Sequence, residues 1–158
     1  MHFINLSGVS IGDPQFLGFL IAQLHQHQIP PERIGFEITE TAAIANLEQA
    51  MYFIHELKQL GCYFALDDFG SGMSSFGYLK NLPVDYLKID GNFVKDIASD
   101  PATRAIIESI NHIGHVMGLR TIAESVETPE LRQILNRIGV DYVQGYAIGH
   151  PAPITENF

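Results

Sequence analysis

Asp13-Pro14, Asn46, Asp100-Pro101 and Thr128-Pro129 each set a helix-capping residue in front of a stretch whose apolar residues recur at helical spacing. The first opens PQFLGFLIAQLHQ, and the second carries Leu47, Ala50, Met51, Ile54 and Leu57 before Gly61 stops it. The third carries Ile106, Ile107, Ile110, Ile113 and Met117 before Gly118, and the fourth Leu131, Ile134, Leu135 and Ile138 before Gly139. Around these helices lie short apolar runs: Phe3–Leu6, Ile34–Ile38, Tyr63–Leu66, Tyr86–Ile89, Arg120–Ala123 and Asp141–Val143. Strands that alternate with helices pair in parallel through crossovers, and the helices cover the sheet. The pattern therefore predicts an α/β protein, either an open doubly wound sheet or a (β/α) barrel.

The residues at the C-terminal ends of the runs separate the two. They are Asn5, Glu37, Asp67 with Asp68, Lys88, Glu124 and Gln144, every one polar or charged and each about one βα unit from the next. An open sheet concentrates ligand groups at one switch point, whereas a barrel collects them from many strand ends around a single mouth. A barrel is expected, and because a full one has eight strands in about 250 residues, these runs predict an incomplete TIM-like barrel. The expectation is one domain over residues 1–158 that lacks N-terminal strands, with HPAPITENF as surface loop.

Alternation places Asn5 and Ser7, Glu37 and Thr39, and Lys88 and Asp90 toward the mouth. Ile4, Leu6, Phe36, Ile38, Leu87 and Ile89 then face the helices. Glu37, Asp67, Asp68 and Glu124 gathered around one lysine would raise one another's pKa unless cations neutralised them. An all-oxygen set that includes the Asn5 amide suits Mg²⁺ or Mn²⁺ rather than zinc. Asp67 can bridge two ions, with Asp68 completing the second site, an arrangement suited to phosphoester displacement, and Lys88 can orient or deprotonate the attacking water. The simpler alternatives are a Lys88–Asp90 ion pair, Asp67 as a turn cap, and an Asn5 side chain bonded to loop backbone.

Other features exclude more than they suggest. With 9 Lys+Arg against 18 Asp+Glu the formal net charge is -9, which argues against a duplex DNA or anionic membrane footprint. No apolar run reaches the ~18 residues of a membrane span and MHFINLSG lacks the regions of a signal peptide, so a cytoplasmic location is expected. Cys62 reads as a packed thiol, and the histidines show no metalloprotease spacing. DFG at Asp68–Gly70 has no accompanying kinase catalytic loop, and GSGMSS lacks the third glycine of a dinucleotide fingerprint.

Taken in order, INLSG, FEITET, LDDFGSG, YLKID, TIAESVE and VQGYAIG resemble the EAL family of bacterial cyclic-di-GMP phosphodiesterases across essentially the whole chain. The resemblance implies a modified (β/α) barrel that uses Mg²⁺ or Mn²⁺, two ions, to hydrolyse cyclic-di-GMP to linear pGpG. It implies that Asn5, Glu37 and Asp67 are metal ligands and that Asp68 is the aspartate of the second metal. Lys88 matches the lysine that coordinates or activates the attacking water, Glu124 an active-site glutamate tied to metal or water, and Gln144 a glutamine at the catalytic mouth. Glu40 matches a glutamate that holds the DDFGSG loop, which the family links to dimerisation and metal placement. A homodimer and diguanylate-cyclase-like or sensory domains in the parent protein are implied as well. The Glu-Ala-Leu signature, with its metal-binding glutamate and nearby arginine, has no counterpart ahead of INLSG. Impaired activity is therefore expected of this stretch alone.

Two rivals stand beside this reading. A non-catalytic cyclic-di-GMP receptor would have eroded Glu37, Asp67, Asp68 or Lys88, and none is eroded. A barrel enzyme that abstracts a proton next to a carboxylate would use Lys88 as base.

Overall fold

A computed structural model describes residues 1–70 and 76–152. Six strands form one parallel sheet: β1 (His2–Leu6), β2 (Ile34–Thr39), β3 (Tyr63–Phe69), β4 (Tyr86–Ile89), β5 (Arg120–Ala123) and β6 (Tyr142–Val143). Their spatial order is their chain order, β1-β2-β3-β4-β5-β6. A doubly wound sheet reverses direction at a switch point, but here every connection steps the same way, which is the order of a barrel wall. The sheet is unclosed, with no β1–β6 pairing among the described residues.

Helices cover one face because the caps expected from sequence form. Asp13 accepts from Gln15 N–H ahead of α2 (Pro14–Gln26), and Asn46 accepts from Gln49 N–H ahead of α4 (Leu47–Leu60). Asp100 and Thr128 do the same for α6 (Pro101–Val116) and α7 (Pro129–Ile138). Gly61 and Gly139 end α4 and α7 in the left-handed region, with φ of 107° and 88°. Three short helices have no counterpart in the sequence reading: α1 (Gly8–Ile11), α3 (Glu40–Ala45) and α5 (Gly91–Asp96). Each begins within two residues of a strand end and spans too few residues to show helical periodicity.

The core lies between sheet and helices, where Phe36, Ile38, Phe64, Leu66, Leu87 and Ile89 are buried against Phe53, Ile54, Leu57 and Ile107. Ile4 keeps to the helix side as alternation expects, since it pairs with the buried Phe36, but on the edge strand it remains 46% exposed. The opposite face carries an aromatic layer that binary patterning did not anticipate. Tyr86 packs against Phe3 at 5.6 Å, Tyr142 at 6.1 Å and Tyr63 at 6.2 Å between ring centroids. Gly35 makes room for it, since a Cβ there would run into the Phe3 ring.

Candidate active site

Above the aromatic layer, strand register brings the polar residues together. Asn5 pairs with Glu37, so the two share the inner face of β1 and β2. Thr39 pairs with Asp67, which puts Asp67 on the same face of β3. Next, Leu66 pairs with Leu87 but Phe69 with Ile89, so Asp67 and Asp68 together stand opposite Lys88. This is a β-bulge, in which one extra residue enters the strand and re-aims its neighbours. Asp68 takes the extra position at φ 55°, a left-handed conformation that aspartate tolerates better than most side chains. The sequence reading ended β3 at Leu66; the strand in fact runs to Phe69 with both aspartates inside it.

In a regular strand Asp67 and Asp68 would point to opposite faces. The bulge instead brings carboxylate oxygens of Asp67, Asp68 and Glu124 within 4.8 Å of one another. Lys88 sits among them. Its Nζ lies 2.7 Å from Glu37 Oε2, 2.9 Å from Asp67 Oδ1 and 2.7 Å from Glu124 Oε1. The lysine side chain is 2% exposed, while the three carboxylates are 11%, 13% and 18% exposed and so open toward the mouth. The Lys88–Asp90 ion pair weighed from sequence is replaced by these contacts, because Asp90 caps α5 by accepting from Asn92 N–H. Asp67 does serve the turn in part, accepting from Asp68 N–H at 3.0 Å.

The electrostatics follow from this crowding. Burial favours the neutral form of Lys88, but hydrogen bonds to Glu124, Glu37 and Asp67 outweigh it and hold the ammonium above the ordinary lysine range. Burial raises the Glu124 carboxyl, Lys88 pulls it back, and Asp67 and Asp68 push it up again. Asp68 is raised by burial, then by Asp67 and Asp90, against Lys88. One ammonium thus leaves the carboxylates under-neutralised. Their donor set is all oxygen, so a hard divalent cation fits them, and Asp67, Asp68 and Glu124 are the residues grouped closely enough to hold it.

Glu124 and Gln144 flank a cleft of about 270 Å³ that Ser125, Glu127, Gly145 and Tyr146 complete. Ser125 is held at φ 52°, and Gly91 leaves the space it occupies: a Cβ on Gly91 would meet the Ser125 side chain. Gly145, at φ 151°, lies against the Val126 backbone, while Gln144 N–H donates to Ala123 O at 2.8 Å. Gly91 and Ser125 escaped the sequence reading because their fit is a steric relation between segments distant in sequence, and neither breaks a periodicity.

Glu40 opens α3 and is buried at 2% exposure. Its Oε2 accepts from Gly70 N–H at 3.1 Å, and its Oε1 accepts from the Tyr78 hydroxyl. Ser71 and Gly72, the rest of the DDFGSG segment, lie outside the described residues. Tyr78 also escaped the sequence reading, being one aromatic in a stretch without periodicity.

Known proteins resemble this chain in sequence and in fold. The family model described as EAL domain matches residues 1–151. The cyclic di-GMP phosphodiesterase PdeB of Shewanella oneidensis is 49% identical over 151 residues, covering 96% of this chain and 18% of the relative. The cyclic di-GMP phosphodiesterase PdeF of Escherichia coli is 39% identical over 153 residues, covering 97% of this chain and 20% of the relative. The chain thus spans about a fifth of the length of these curated relatives. The solved PaMucR phosphodiesterase in complex with c-di-GMP, from Pseudomonas aeruginosa, superposes with a TM-score of 0.90 at 32% identity, over 96% of this chain and 61% of that one. With the family match, the strand order and the shared architecture in agreement, the chain belongs to the EAL domain family.

Proposed function

We propose that this chain is the catalytic part of a cyclic-di-GMP phosphodiesterase within a longer signalling protein, and that it opens one phosphodiester bond to yield linear pGpG. The convergence of Glu37, Asp67 and Glu124 on the buried Lys88 ammonium, with Asp68 delivered beside them by the bulge, carries the reading. Relatives named as cyclic di-GMP phosphodiesterases support the substrate class.

Asn5, Glu37, Asp67, Asp68 and Glu124 would hold Mg²⁺ or Mn²⁺, two ions in all. When bound, such ions withdraw charge from the phosphoryl oxygens and lower the pKa of water. Glu37, Asp67 and Glu124 take the three donors of the Lys88 ammonium and so fix its charge at the mouth, where a nucleophilic water and the phosphate would meet. Held there as a cation, Lys88 stabilises charge developing on the phosphate, and an N–H released by one of these carboxylates is placed to orient that water. Water adds to phosphorus as one ester P–O bond breaks; one proton of the water ends on the departing oxygen, leaving a phosphomonoester and a hydroxyl. Gln144 offers an amide to the nucleotide from the cleft beside Glu124.

The same reading takes residues 1–158 as one domain acting in the cytoplasm, joined to diguanylate-cyclase-like or sensory domains. Among the described residues no helix is long and apolar enough to cross a membrane. An apolar cleft of about 420 Å³ behind the bulge, lined by Phe69, Phe76, Phe93 and Ile106, supports a homodimer through this side.

The test is pGpG formation by the full-length protein with Mg²⁺ or Mn²⁺, compared with Lys88→Ala and Asp67→Asn. Loss of turnover in both variants is expected. Unchanged turnover in both would remove the mechanism, and tight cyclic-di-GMP binding without hydrolysis by the unaltered protein would favour a receptor.

A further inference from the structure

Glu40 is a buried carboxylate whose two oxygens are engaged from opposite sides of residues 71–75 in the sequence. Gly70 N–H binds Oε2 at 3.1 Å, and the Tyr78 hydroxyl binds Oε1. Gly70 is two residues beyond Asp68, and both depart from ordinary strand conformation, at φ 95° and 55°. Left-handed backbone at a non-glycine residue persists only where the surroundings hold it. Two attachments do so just after the bulge: the Gly70 bond to Glu40, and Phe69, which is buried and packs against the Phe76 ring at 5.6 Å.

A carboxylate held by one backbone N–H alone has a free rotor and an unmet acceptor. The Tyr78 hydroxyl supplies the second donor and fixes the Glu40 rotamer that receives Gly70. Burial, with the adjoining Glu40 carboxylate, pushes the Tyr78 phenol above its ordinary value, so the hydroxyl remains a donor throughout the working pH range.

We infer that Tyr78 is a positioning residue for the Asp67–Asp68 bulge, acting through Glu40 and Gly70 to hold the two aspartates in metal-binding geometry. The inference rests on the metal-dependent phosphodiesterase reading and adds to it a residue outside the donor set. Residues that orient metal ligands from behind typically change affinity or activity by about 10- to 100-fold when altered.

The experiment measures Mn²⁺ affinity by electron paramagnetic resonance, in parallel with kcat and KM for cyclic-di-GMP, in the full-length protein. Tyr78→Phe keeps the ring and removes the hydroxyl. It is expected to weaken Mn²⁺ binding about tenfold or more and to lower kcat with KM little changed, while the circular dichroism spectrum is retained. Glu40→Gln is expected to weaken Mn²⁺ binding similarly, and adding Tyr78→Phe to it to produce little further loss, since the two residues form one unit. Wild-type Mn²⁺ affinity in both single variants, or fully additive losses in the double variant, would overturn the inference. If the unaltered protein binds Mn²⁺ but leaves cyclic-di-GMP intact, the functional reading fails while the Mn²⁺ titrations still decide the role of Tyr78. If it binds no Mn²⁺, both fall together.

Discussion

Lys88 Nζ and Glu124 Oε1 stand 2.7 Å apart across the seam between β4 and β5. Beside them the Glu124 N–H donates to the Ile89 carbonyl, so sheet pairing supports the approach of the two side chains. Removing the lysine leaves Glu37, Asp67 and Glu124 facing one another without their shared cation. Breaking a buried charge pair by deleting one partner costs about 3–5 kcal/mol. Lys88→Met is expected to lower metal-free stability by about that amount and to abolish turnover. Denaturant titrations with and without Mg²⁺ check it, and the ion should recover part of the lost stability.

Because folding raises the Glu124 and Asp68 carboxyls, the two groups make stability depend on pH in a set direction. As pH falls from neutral through their raised values, the folded state takes up protons that the unfolded chain does not, so stability rises. The gain is complete below the ordinary carboxylate values of about 4. Asp141 works oppositely: burial opposes its ionisation, but bonds from Thr121 and His115 prevail and lower it, so its contribution is lost only at still lower pH. Urea midpoints for the metal-free protein should therefore increase as the pH is lowered from neutral toward the ordinary carboxylate values of about 4. Saturating Mg²⁺, which favours the ionised carboxylates, should suppress the increase, and Glu124→Gln should flatten it.

Asp68 combines a left-handed backbone with a carboxylate proposed to hold metal, and two substitutions separate these roles. Asn tolerates left-handed backbone nearly as well as Asp, so Asp68→Asn should leave the thermal midpoint nearly unchanged while reducing turnover at least about tenfold and halving the Mn²⁺ stoichiometry. Asp68→Val should also lose about 1–2 kcal/mol of stability, because a β-branched side chain resists positive φ. Calorimetry alongside metal titration distinguishes the two outcomes.

Gly91 and Ser125 divide one small space between α5 and the residue after Glu124. Gly91→Ala would press its Cβ against the Ser125 Oγ and Cβ. Overpacking of this kind costs about 1–3 kcal/mol, and by displacing Glu124 the substitution should lower kcat. Ser125 already sits at φ 52°, a conformation that glycine adopts freely. Ser125→Gly alone is expected to be close to neutral, and Gly91→Ala with Ser125→Gly to regain most of the stability and activity. Thermal melts and initial rates on the four proteins measure the coupling.

The helix starts at Asp13, Asn46, Asp100 and Thr128 were legible because capping chemistry is local, and six strands are found where apolar runs lie between those helices. The polar strand ends were legible for the same reason, since Asn5, Glu37, Lys88 and Glu124 need only a strand and its direction to be placed near one rim. The bulge at Asp67–Asp68 was not. It exists because β3 takes three steps from Leu66 to Phe69 while β4 takes two from Leu87 to Ile89, a mismatch that neither strand carries alone. The exposure of Ile4 was hidden for a related reason, as a strand cannot show whether it lies at an edge.

Composition and local order by themselves decided that this chain alternates strand with helix and ends its strands in polar or charged groups, because capping, periodicity and strand alternation act between near neighbours. Tertiary structure alone decided that two consecutive aspartates share one face, that a single ammonium serves three carboxylates, and that Glu40 joins Gly70 to Tyr78. Those relationships depend on register and burial between segments distant in sequence, and neither quantity exists until the sheet has assembled.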